Sequence, residues 1–302
     1  MIRTVTGDIP PPQGAILIHE HLQIDLTKTK SPATVLGPGD QTDIIEDLKH
    51  TVAQHGLRLI TDLSGPGSGR NPQALKAISQ AAGIHVVAAT GFYWEPTHPD
   101  VISGSIAQLR DAMIREIETG VAGTNIHCGV IKVGTNYGTP TAAEEKVFRA
   151  AAEAARATGA AIITHTSTPD QAQWQIDTLE AAGAELPRVL ISHLHGLKDF
   201  NELVRHARRG IMFGFDQIGF AKGPSYEAYA DLVMRALEAN LTDQMMLSSD
   251  MARRERLHKK DGTSYGTVFS HLLPLLRQKG VSQEQIEKIM KENPSRLLQL
   301  KR

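Results

Sequence analysis

The sequence predicts a (β/α)8 barrel, and three observations lead to this prediction. Eight short apolar, β-branched runs alternate with longer alanine-rich segments of helical periodicity along the 302 residues. The runs are apolar nearly throughout, as parallel strands buried on both faces should be. No strand is followed by Gly-x-Gly-x-x-Gly at the start of a helix, which disfavours the competing architecture, an open doubly wound sheet.

The predicted strands occupy residues 15–19, 58–63, 85–90, 130–133, 161–165, 189–193, 211–215 and 245–249. The helical segments between them occupy residues 43–55, 72–82, 103–119, 142–158, 170–182, 199–208 and 226–239. Glycines that would cap these helices stand at Gly56, Gly83, Gly120, Gly159, Gly183 and Gly210.

The C-terminal tail adds two helical patterns, at residues 267–279 and 283–291. Asn293-Pro294 is the predicted break between the second of them and a last short turn. No linker, low-complexity tract or charge run divides the chain, so we expect one domain over residues 1–302.

The composition is that of an ordinary globular protein, with 41% hydrophobic and 22% charged residues. The formal net charge of -1 leaves no basic field, so we expect neither nucleic acid nor membrane as a partner. No apolar run approaches the ~18 residues of a membrane span, and the N-terminus lacks the apolar core of a secretory signal. The single cysteine, Cys128, excludes an internal disulfide framework, and we expect a cytoplasmic protein.

The most informative motif is His19-Glu20-His21, at the end of the first predicted strand. Residues i and i+2 of a strand point to the same face, so both imidazoles would leave on one side while Glu20 points the other way. Two imidazoles so close together can share a metal ion. Alone, the motif is more typical of a polar strand end with solvated histidines, so the other strand ends decide its meaning.

Residues of ligand type recur at the carboxyl ends of other predicted strands, where such barrels have their active sites. They are Lys132 in strand 4, His165 at the end of strand 5, His193 at the end of strand 6 with His195 two residues on, and Asp250 at the end of strand 8. Together with the two histidines of strand 1 they would converge on one mouth, which predicts a metal site.

Lys132 lies inside an apolar strand, where a charged amine is costly to bury. A lysine that snorkels or pairs with a carboxylate would explain its presence. We favour another interpretation, in which the neutral amine reacts with carbon dioxide. The resulting carbamate, an N6-carboxylysine, has two oxygens that can bridge two divalent cations.

These motifs together resemble the phosphotriesterase family of the amidohydrolase superfamily, and the resemblance covers nearly the whole chain. Its motifs are Gly7-x-Ile9, His19-Glu-His-Leu22, Ile131-Lys-Val-Gly134, Ile163-Thr-His-Thr166, Ser192-His193, Ser249-Asp250 and Asn293-Pro-Ser-Arg-Leu297.

The resemblance implies a binuclear metal centre. His19, His21 and Asp250 would hold the more buried ion, and His165 and His193 the more exposed one. The carboxylated lysine of strand 4 and a hydroxide would bridge the ions. Imidazole and carboxylate ligands favour zinc, with manganese, cobalt or iron as alternatives. The family also suggests a homodimer, for which the sequence itself offers no surface pattern.

The resemblance further implies a reaction in which the bridging hydroxide attacks a carbonyl or phosphoryl group. Asp250 would accept the proton and pass it to the leaving oxygen. His195 is a second candidate for this proton transfer and an alternative to His193 as a ligand. Tyr93, in Gly91-Phe-Tyr-Trp94, resembles a lactonase segment and would help to position a lactone carbonyl, although a tyrosine packed on the barrel rim is an equal alternative.

The substrate is a small molecule whose identity depends on the loops after strands 7 and 8. Gln217 stands where quorum-type lactonases carry arginine and triesterases carry histidine, which counts against both specificities. Lys222, Arg253 and Arg254 resemble residues of members that act on phosphorylated sugar lactones and could bind an anion. A solvated basic loop is the alternative.

We therefore predict a binuclear-metal hydrolase that opens a lactone, with a phosphorylated sugar lactone as the specific expectation. The alternatives within the superfamily are an organophosphate triesterase and an amide or cyclic imide hydrolase. The alternative outside enzymology is a catalytically silent binding barrel, which the complete ligand set disfavours.

Overall fold

The structure is a computed structural model that describes residues 1–29, 31–94, 103–260 and 263–301. Within these residues, eight parallel strands form a sheet in sequence order. They are β1 (Ala15–Glu20), β2 (Leu57–Asp62), β3 (His85–Phe92), β4 (Val130–Thr135), β5 (Ala161–Thr166), β6 (Val189–Ile191), β7 (Met212–Phe215) and β8 (Met245–Leu247).

The sheet curls until its first and last strands meet. The amide of Asp250 donates to the carbonyl of His19 at 3.1 Å, and the amide of His21 donates to the carbonyl of Met251 at 3.0 Å. These bonds join the end of β1 to the segment after β8 and nearly close the barrel. The predicted (β/α)8 fold is confirmed.

Helices alternate with the strands as the sequence predicts. They are α1 (Gln41–His55), α2 (Pro72–Ala82), α3 (Ile106–Glu118), α4 (Ala142–Thr158), α5 (Ala172–Ala181), α6 (Phe200–Arg208) and α7 (Tyr226–Glu238). Gly56, Gly83 and Gly159 follow α1, α2 and α4 with left-handed backbone, which is the predicted role of these glycines.

The C-terminal region departs from the prediction. It contains α8 (Leu273–Gln278), α9 (Gln283–Glu287) and α10 (Asn293–Leu298), with π turns at Val268–Leu272 and Lys288–Glu292. The predicted break at Asn293-Pro294 is wrong, because the helical path continues through this proline. A wider π turn precedes both Pro274 and Pro294, and such a turn accommodates a residue that has no N–H to donate.

Two apolar layers form the core. The larger one lies between the strands and the surrounding helices. The smaller one fills the barrel and includes Ile16, Val130 and Ile163 from the strands, packed with Leu298 of α10. Ile2 joins this inner layer from a hairpin of Ile2–Thr4 and Gly7–Ile9, which the sequence did not predict.

Strands β6 and β8 end two residues earlier than predicted. His193 and Asp250 therefore lie beyond the strands, and both have left-handed backbone, with φ of 66° and 48°. Side chains at these sharp turns project over the barrel mouth. No helix in the described part of the chain is long and apolar enough to cross a bilayer.

Candidate metal centre

The structure brings the six predicted ligands together at the carboxyl ends of the strands. They are contributed by β1, β4 and β5 and by the segments after β1, β6 and β8, and comprise His19, His21, Lys132, His165, His193 and Asp250. Nearly all are buried, and His165 is the most accessible.

Asp250 lies at the middle of one half of the centre. Its Oδ1 is 3.3 Å from Nε2 of His21 and 3.6 Å from Nε2 of His19. Its Oδ2 is 4.0 Å from Nε2 of His193. This grouping of two imidazoles and a carboxylate around one point could hold a metal ion.

The other half contains His165 and His193. Nδ1 of His165 is 3.0 Å from Nε2 of His193. Between the halves, Nζ of Lys132 lies 3.4 Å from Nε2 of His19 and donates to the carbonyl of Thr164 at 2.8 Å. Lys132 thus reaches the centre from β4, as predicted.

Asp216, directly after β7, fixes the orientation of two of these imidazoles. Its Oδ2 is 2.8 Å from Nδ1 of His19, and its Oδ1 is 2.8 Å from Nδ1 of His193. Ser64 has the same role for His21, with Oγ at 2.8 Å from Nδ1. Because each Nδ1 has a partner, each of these three rings directs its Nε2 toward the centre.

The backbone of His193 explains how one carboxylate can serve so many groups. In the left-handed conformation, the amide of His193 also donates to Oδ1 of Asp216, at 2.8 Å. A non-glycine residue in this conformation is strained by about 1 kcal/mol or more, so the surroundings must maintain it. The bonds to Asp216 are the contacts that do so.

The electrostatics of the centre favour neutral imidazoles at His19 and His165 and an ionised carboxylate at Asp250. Burial, together with the charge of Lys132, lowers the pKa of His19 to about 4. Burial and the neighbouring His193 hold the pKa of His165 well below its usual value. Burial opposes ionisation of Asp250, but its electrostatic interaction with His19 and the hydrogen bond from His21 hold its pKa well below the usual range.

Lys132 has the most unusual environment of the set. Burial lowers the pKa of its ammonium group to about 7, so a large share of the amine is neutral near physiological pH. Neutral imidazoles, a carboxylate and a reactive amine are the donors that a divalent metal centre needs. The residues present therefore fit a pair of divalent ions.

Glu20 points away from the centre, as the alternation of strand residues predicts. Its carboxylate accepts hydrogen bonds from the amide and hydroxyl of Ser249, at 2.7 and 2.8 Å, and from the amide of Met251, at 2.6 Å. These residues flank Asp250, so Glu20 fixes the turn that presents the Asp250 carboxylate.

A cavity of about 280 Å³ opens beside the metal centre, and we call it the mouth cavity. Its described lining consists of Tyr137, His165, Thr166, Ser167, Pro169, His193, His195, Gly196 and Gln217. These residues come from the loops after β4, β5, β6 and β7, which places the cavity on one side of the barrel mouth.

Three predicted site residues lie at or near this cavity. Gln217 donates to Oδ2 of Asp250 at 3.0 Å. The ring of Tyr93 lies 4.8 Å from that of His165, edge to face. His195 lies with its ring 6.3 Å from that of His193, and burial lowers its pKa to about 4.

The predicted anion-binding residues are not brought to the cavity. Arg254 pairs with Asp40, at 3.3 Å, just before α1. Arg253 lies 3.9 Å from the carboxylate of Glu255, and its buried Nε has no hydrogen-bond partner among the described residues. Lys222 is exposed. None of the three cations is among the described residues that line the mouth cavity.

The sequence analysis did not identify Asp216 or Ser64 as site residues, although the sequence contains a signal for Asp216. It directly follows a predicted strand, in Phe213-Gly-Phe-Asp216, and so meets the same criterion that selected Asp250. What the sequence cannot show is that its two oxygens face two histidines from distant strands. Ser64 gives no signal, because its role depends entirely on the side chain of His21.

Comparisons with known proteins agree with this geometry. Residues 1–298 match the sequence profile of the phosphotriesterase family. The chain is 34% identical over 290 residues to the phosphotriesterase homology protein of Escherichia coli, covering 95% of this chain and 99% of that protein. A crystal structure of the Escherichia coli protein, complexed with phosphate in its active site, has a TM-score of 0.91 and 32% identity, covering 95% and 99% of the two chains.

Other similar proteins are named for different activities. A crystal structure of a lactonase from Listeria monocytogenes has a TM-score of 0.91 and 25% identity, covering 100% of this chain and 99% of that one. The human N-acetyltaurine hydrolase is 27% identical over 344 residues, covering 99% of this chain and 98% of that protein. The family match spans nearly the whole chain and the metal-capable side chains stand at its strand ends, so the chain belongs to the phosphotriesterase family, a family of hydrolases with binuclear metal centres.

Proposed function

We propose that this protein is a hydrolase that opens lactones at a centre of two divalent metal ions, with zinc as the expected metal. The observation that carries the proposal is the arrangement of four imidazoles, the Asp250 carboxylate and the Lys132 amine at one barrel mouth. The similarity to the Listeria monocytogenes lactonase supports the lactone as the substrate class.

The ligands in this proposal are those that the sequence suggests. His19, His21 and Asp250 would hold one ion, and His165 and His193 the other. Two divalent ions held there would lower the pKa of water to supply hydroxide at neutral pH and polarise the carbonyl oxygen of an ester.

Lys132 would bridge the two ions as its carbamate. Nζ of Lys132 lies 3.4 Å from Nε2 of His19, in one half of the centre. The ammonium form of Lys132 also contributes to the lowered pKa of His165, in the other half. The amine is therefore close to both halves of the centre. The lowered pKa of Lys132 supplies the neutral amine that attack on carbon dioxide requires. The amine forms a C–N bond to carbon dioxide, loses one proton and becomes an anion.

Asp250 and Tyr93 would act directly on the substrate. Oδ1 of Asp250 faces His21, and Oδ2 accepts a hydrogen bond from the Gln217 amide. These contacts hold the carboxylate in place. In this position it would take up a proton and return it to the leaving oxygen. The ring of Tyr93 packs against His165 at the edge of the centre, where it can position the scissile carbonyl.

Amide hydrolysis is the second candidate function, and the similarity to N-acetyltaurine hydrolases over nearly the whole chain favours it. Esters and amides share the tetrahedral transition state, so the same groups serve both reactions. The difference lies in the leaving atom, since an amine must be protonated before it departs.

A hydrolysis screen distinguishes these reactions. The metal-loaded protein is given lactones, N-acetyl amides and an organophosphate triester, with Asp250→Asn as the control for adventitious activity. We expect the highest kcat/KM for a lactone. The greatest kcat/KM for an amide would favour the second candidate, and a preference for the triester would contradict both.

A further inference from the structure

We propose that the substrate carries an uncharged, hydroxylated substituent, and that this substituent occupies the mouth cavity. The inference rests on the proposed function and names the substrate class for the same site. It replaces the phosphorylated substrate that the sequence suggests with a neutral one. Four observations support it: the cavity lining, the contacts of the nearby cations, the unpaired Nδ1 of His195, and the cavity size.

The lining of the mouth cavity is polar but contains neither arginine nor lysine among the described residues. Its side chains offer hydroxyl, imidazole, amide and phenol groups, as at Thr166, His195, Gln217 and Tyr137. Such groups hydrogen-bond neutral hydroxyls well. A phosphate monoester in this cavity would lose water without meeting a cation from the lining.

Two cations of the loop after β8, Arg254 and Lys259, are directed to α1 rather than to the mouth cavity. Arg254 approaches Asp40 at 3.3 Å, and Nζ of Lys259 donates to Asp43 at 2.9 Å. Asp47 of α1 also contacts the loop after β8: its carboxylate accepts a hydrogen bond from the amide of His258 at 2.9 Å. These contacts draw the basic loop over the helix between β1 and β2, whereas the mouth cavity lies over β4 to β7.

Arg256 is also engaged within the protein. Its guanidinium donates to the carbonyls of Ser249, Asp250 and Ile218, at 3.0, 3.2 and 3.1 Å. The cation thereby ties the loop after β7 to the segment after β8. Buried in these contacts, Arg256 fixes the position of Asp250 and has little capacity left for an anion.

His195 supplies the positive reason to expect a hydroxyl. Its ring lines the mouth cavity, and its buried Nδ1 has no hydrogen-bond partner within the described part of the chain. Leaving a buried ring nitrogen unpaired costs about 1–3 kcal/mol, so a ligand group that pairs with it is favoured. A hydroxyl can both donate and accept and so suits either tautomer of the imidazole, whereas phosphate oxygens only accept.

The size of the cavity agrees with a small polar substituent. At about 280 Å³, it is slightly below the usual range of small-molecule sites, about 300–1,000 Å³. A sugar-sized ring with hydroxyl groups fits such a volume. A long acyl chain would extend past the rim into water.

The test compares matched pairs that differ in charge. The first pair is a five-carbon 1,4-aldonolactone and its 5-phosphate, and the second is N-acetylethanolamine and N-acetyltaurine. Whichever pair is turned over tests the proposed function, and the ratio within that pair tests this inference. We expect kcat/KM to be at least tenfold higher for the neutral member, and a preference for the anionic member would overturn the inference.

A binding measurement keeps the inference testable if neither pair is hydrolysed. Titration calorimetry on the metal-loaded protein would use the unreactive ring ethers, a 1,4-anhydropentitol and its 5-phosphate. Tighter binding of the neutral ether supports the inference even when the proposed reaction fails. Tighter binding of the phosphate ester overturns it.

A charge-gain variant locates the substituent. Tyr137 lies at the cavity rim with 57% of its surface exposed, so Tyr137→Arg should add a cation there without disturbing the core. We expect it to shift the neutral-to-anionic ratio of kcat/KM, or of Kd for the ethers, at least tenfold toward the anion. The matched control Tyr137→Gln removes the ring without adding charge and should not shift this ratio. An unchanged ratio in Tyr137→Arg would place the substituent outside the mouth cavity and overturn the proposal.

Discussion

At the scale of single residues, Asp216 is the group on which most of the centre depends. One buried carboxylate accepts from the ring of His19, from the ring of His193 and from the His193 amide. Although burial opposes its ionisation, electrostatic interaction with His193 and His19 and their hydrogen bonds hold the pKa of Asp216 well below the usual range. It is therefore anionic at all physiological pH values and presents acceptors to both Nδ1–H groups.

Replacing Asp216 by asparagine should weaken metal binding with little change of fold. The asparagine amide would place an NH₂ group, which is a donor, opposite the N–H of one imidazole, which needs an acceptor. Either His19 or His193 would therefore lose the hydrogen bond that orients its ring. We expect metal affinity to fall about 10- to 100-fold, measured by competition with a chelator.

Ser192→Ala is the matched control for Asp216→Asn. It removes the second partner of Nδ1 of His19, at 3.0 Å, but leaves Asp216 in place. The loss of metal affinity in Ser192→Ala should be clearly smaller than the loss in Asp216→Asn. Equal losses in the two variants would show that Asp216 does not orient the ligands.

Replacing Lys132 by alanine should remove the group that bridges the ions. We expect loss of metal and of hydrolysis, and partial rescue by a short-chain carboxylic acid that supplies two oxygens at the same place. The measurements are metal content and kcat with and without the added acid. Full metal content without the acid would contradict the bridging role of Lys132.

Replacing Asp250 by asparagine should separate metal binding from proton transfer. The amide cannot accept the proton, so we expect turnover to fall by orders of magnitude. At least one metal equivalent should remain, because the other ligands are unchanged. Turnover close to that of the wild type would exclude Asp250 from proton transfer.

At the scale of the elements, the strand interiors could be predicted and the strand ends could not. The apolar runs located all eight barrel strands. Strands β6 and β8 were predicted two residues too long, because the left-handed turns at His193 and Asp250 are maintained by contacts with Asp216 and Glu20 from other strands. For the same reason, the sequence does not show that the basic loop after β8 docks on α1.

A largely buried ion pair links the segment after β2, strand β3 and helix α3. Arg70, after β2, makes a two-pronged contact with Glu116 of α3, at 2.6 and 2.7 Å, and Thr90 of β3 donates to the same carboxylate at 2.6 Å. Burial opposes ionisation of Glu116, but the bonds from Arg70 outweigh it and lower the pKa. The pair thus fixes β3 just before the Tyr93 segment.

Glu116→Gln should lower the free energy of unfolding by about 3–5 kcal/mol, because it leaves a buried guanidinium without its counter-charge. The matched control is Glu153→Gln, which breaks the more exposed pair with Arg110 and should cost less than about 1 kcal/mol. Urea denaturation of both variants provides the comparison. Equal, small effects would contradict a stabilising role for the buried pair.

The same variant has an expected pH dependence. A carboxyl whose pKa is lower in the folded state stabilises the protein above its unfolded pKa, about 4.3, and loses this effect as the pH falls through the folded value. The difference in stability between the wild type and Glu116→Gln should therefore narrow below about pH 4. A difference that is constant from pH 7 to pH 3 would contradict the ion pair.

At the scale of the whole molecule, the barrel fold brings the residues of the candidate metal centre together. The ligands come from both ends of the chain and meet because parallel strands present their carboxyl ends at one mouth. That rule allowed all six candidate ligands, including His193, to be predicted from sequence alone. The direction of the basic loop and the mouth cavity could not be predicted, because they depend on contacts between residues that are distant along the chain.

Metal stoichiometry tests the central claim most directly. The full-length protein, purified after growth with added zinc or manganese, would be examined by elemental analysis, with Lys132→Ala as the comparison. The structure predicts about two equivalents of divalent metal per chain in the wild type and a clear loss in the variant. Less than one equivalent in the wild type would contradict a binuclear centre at this barrel mouth.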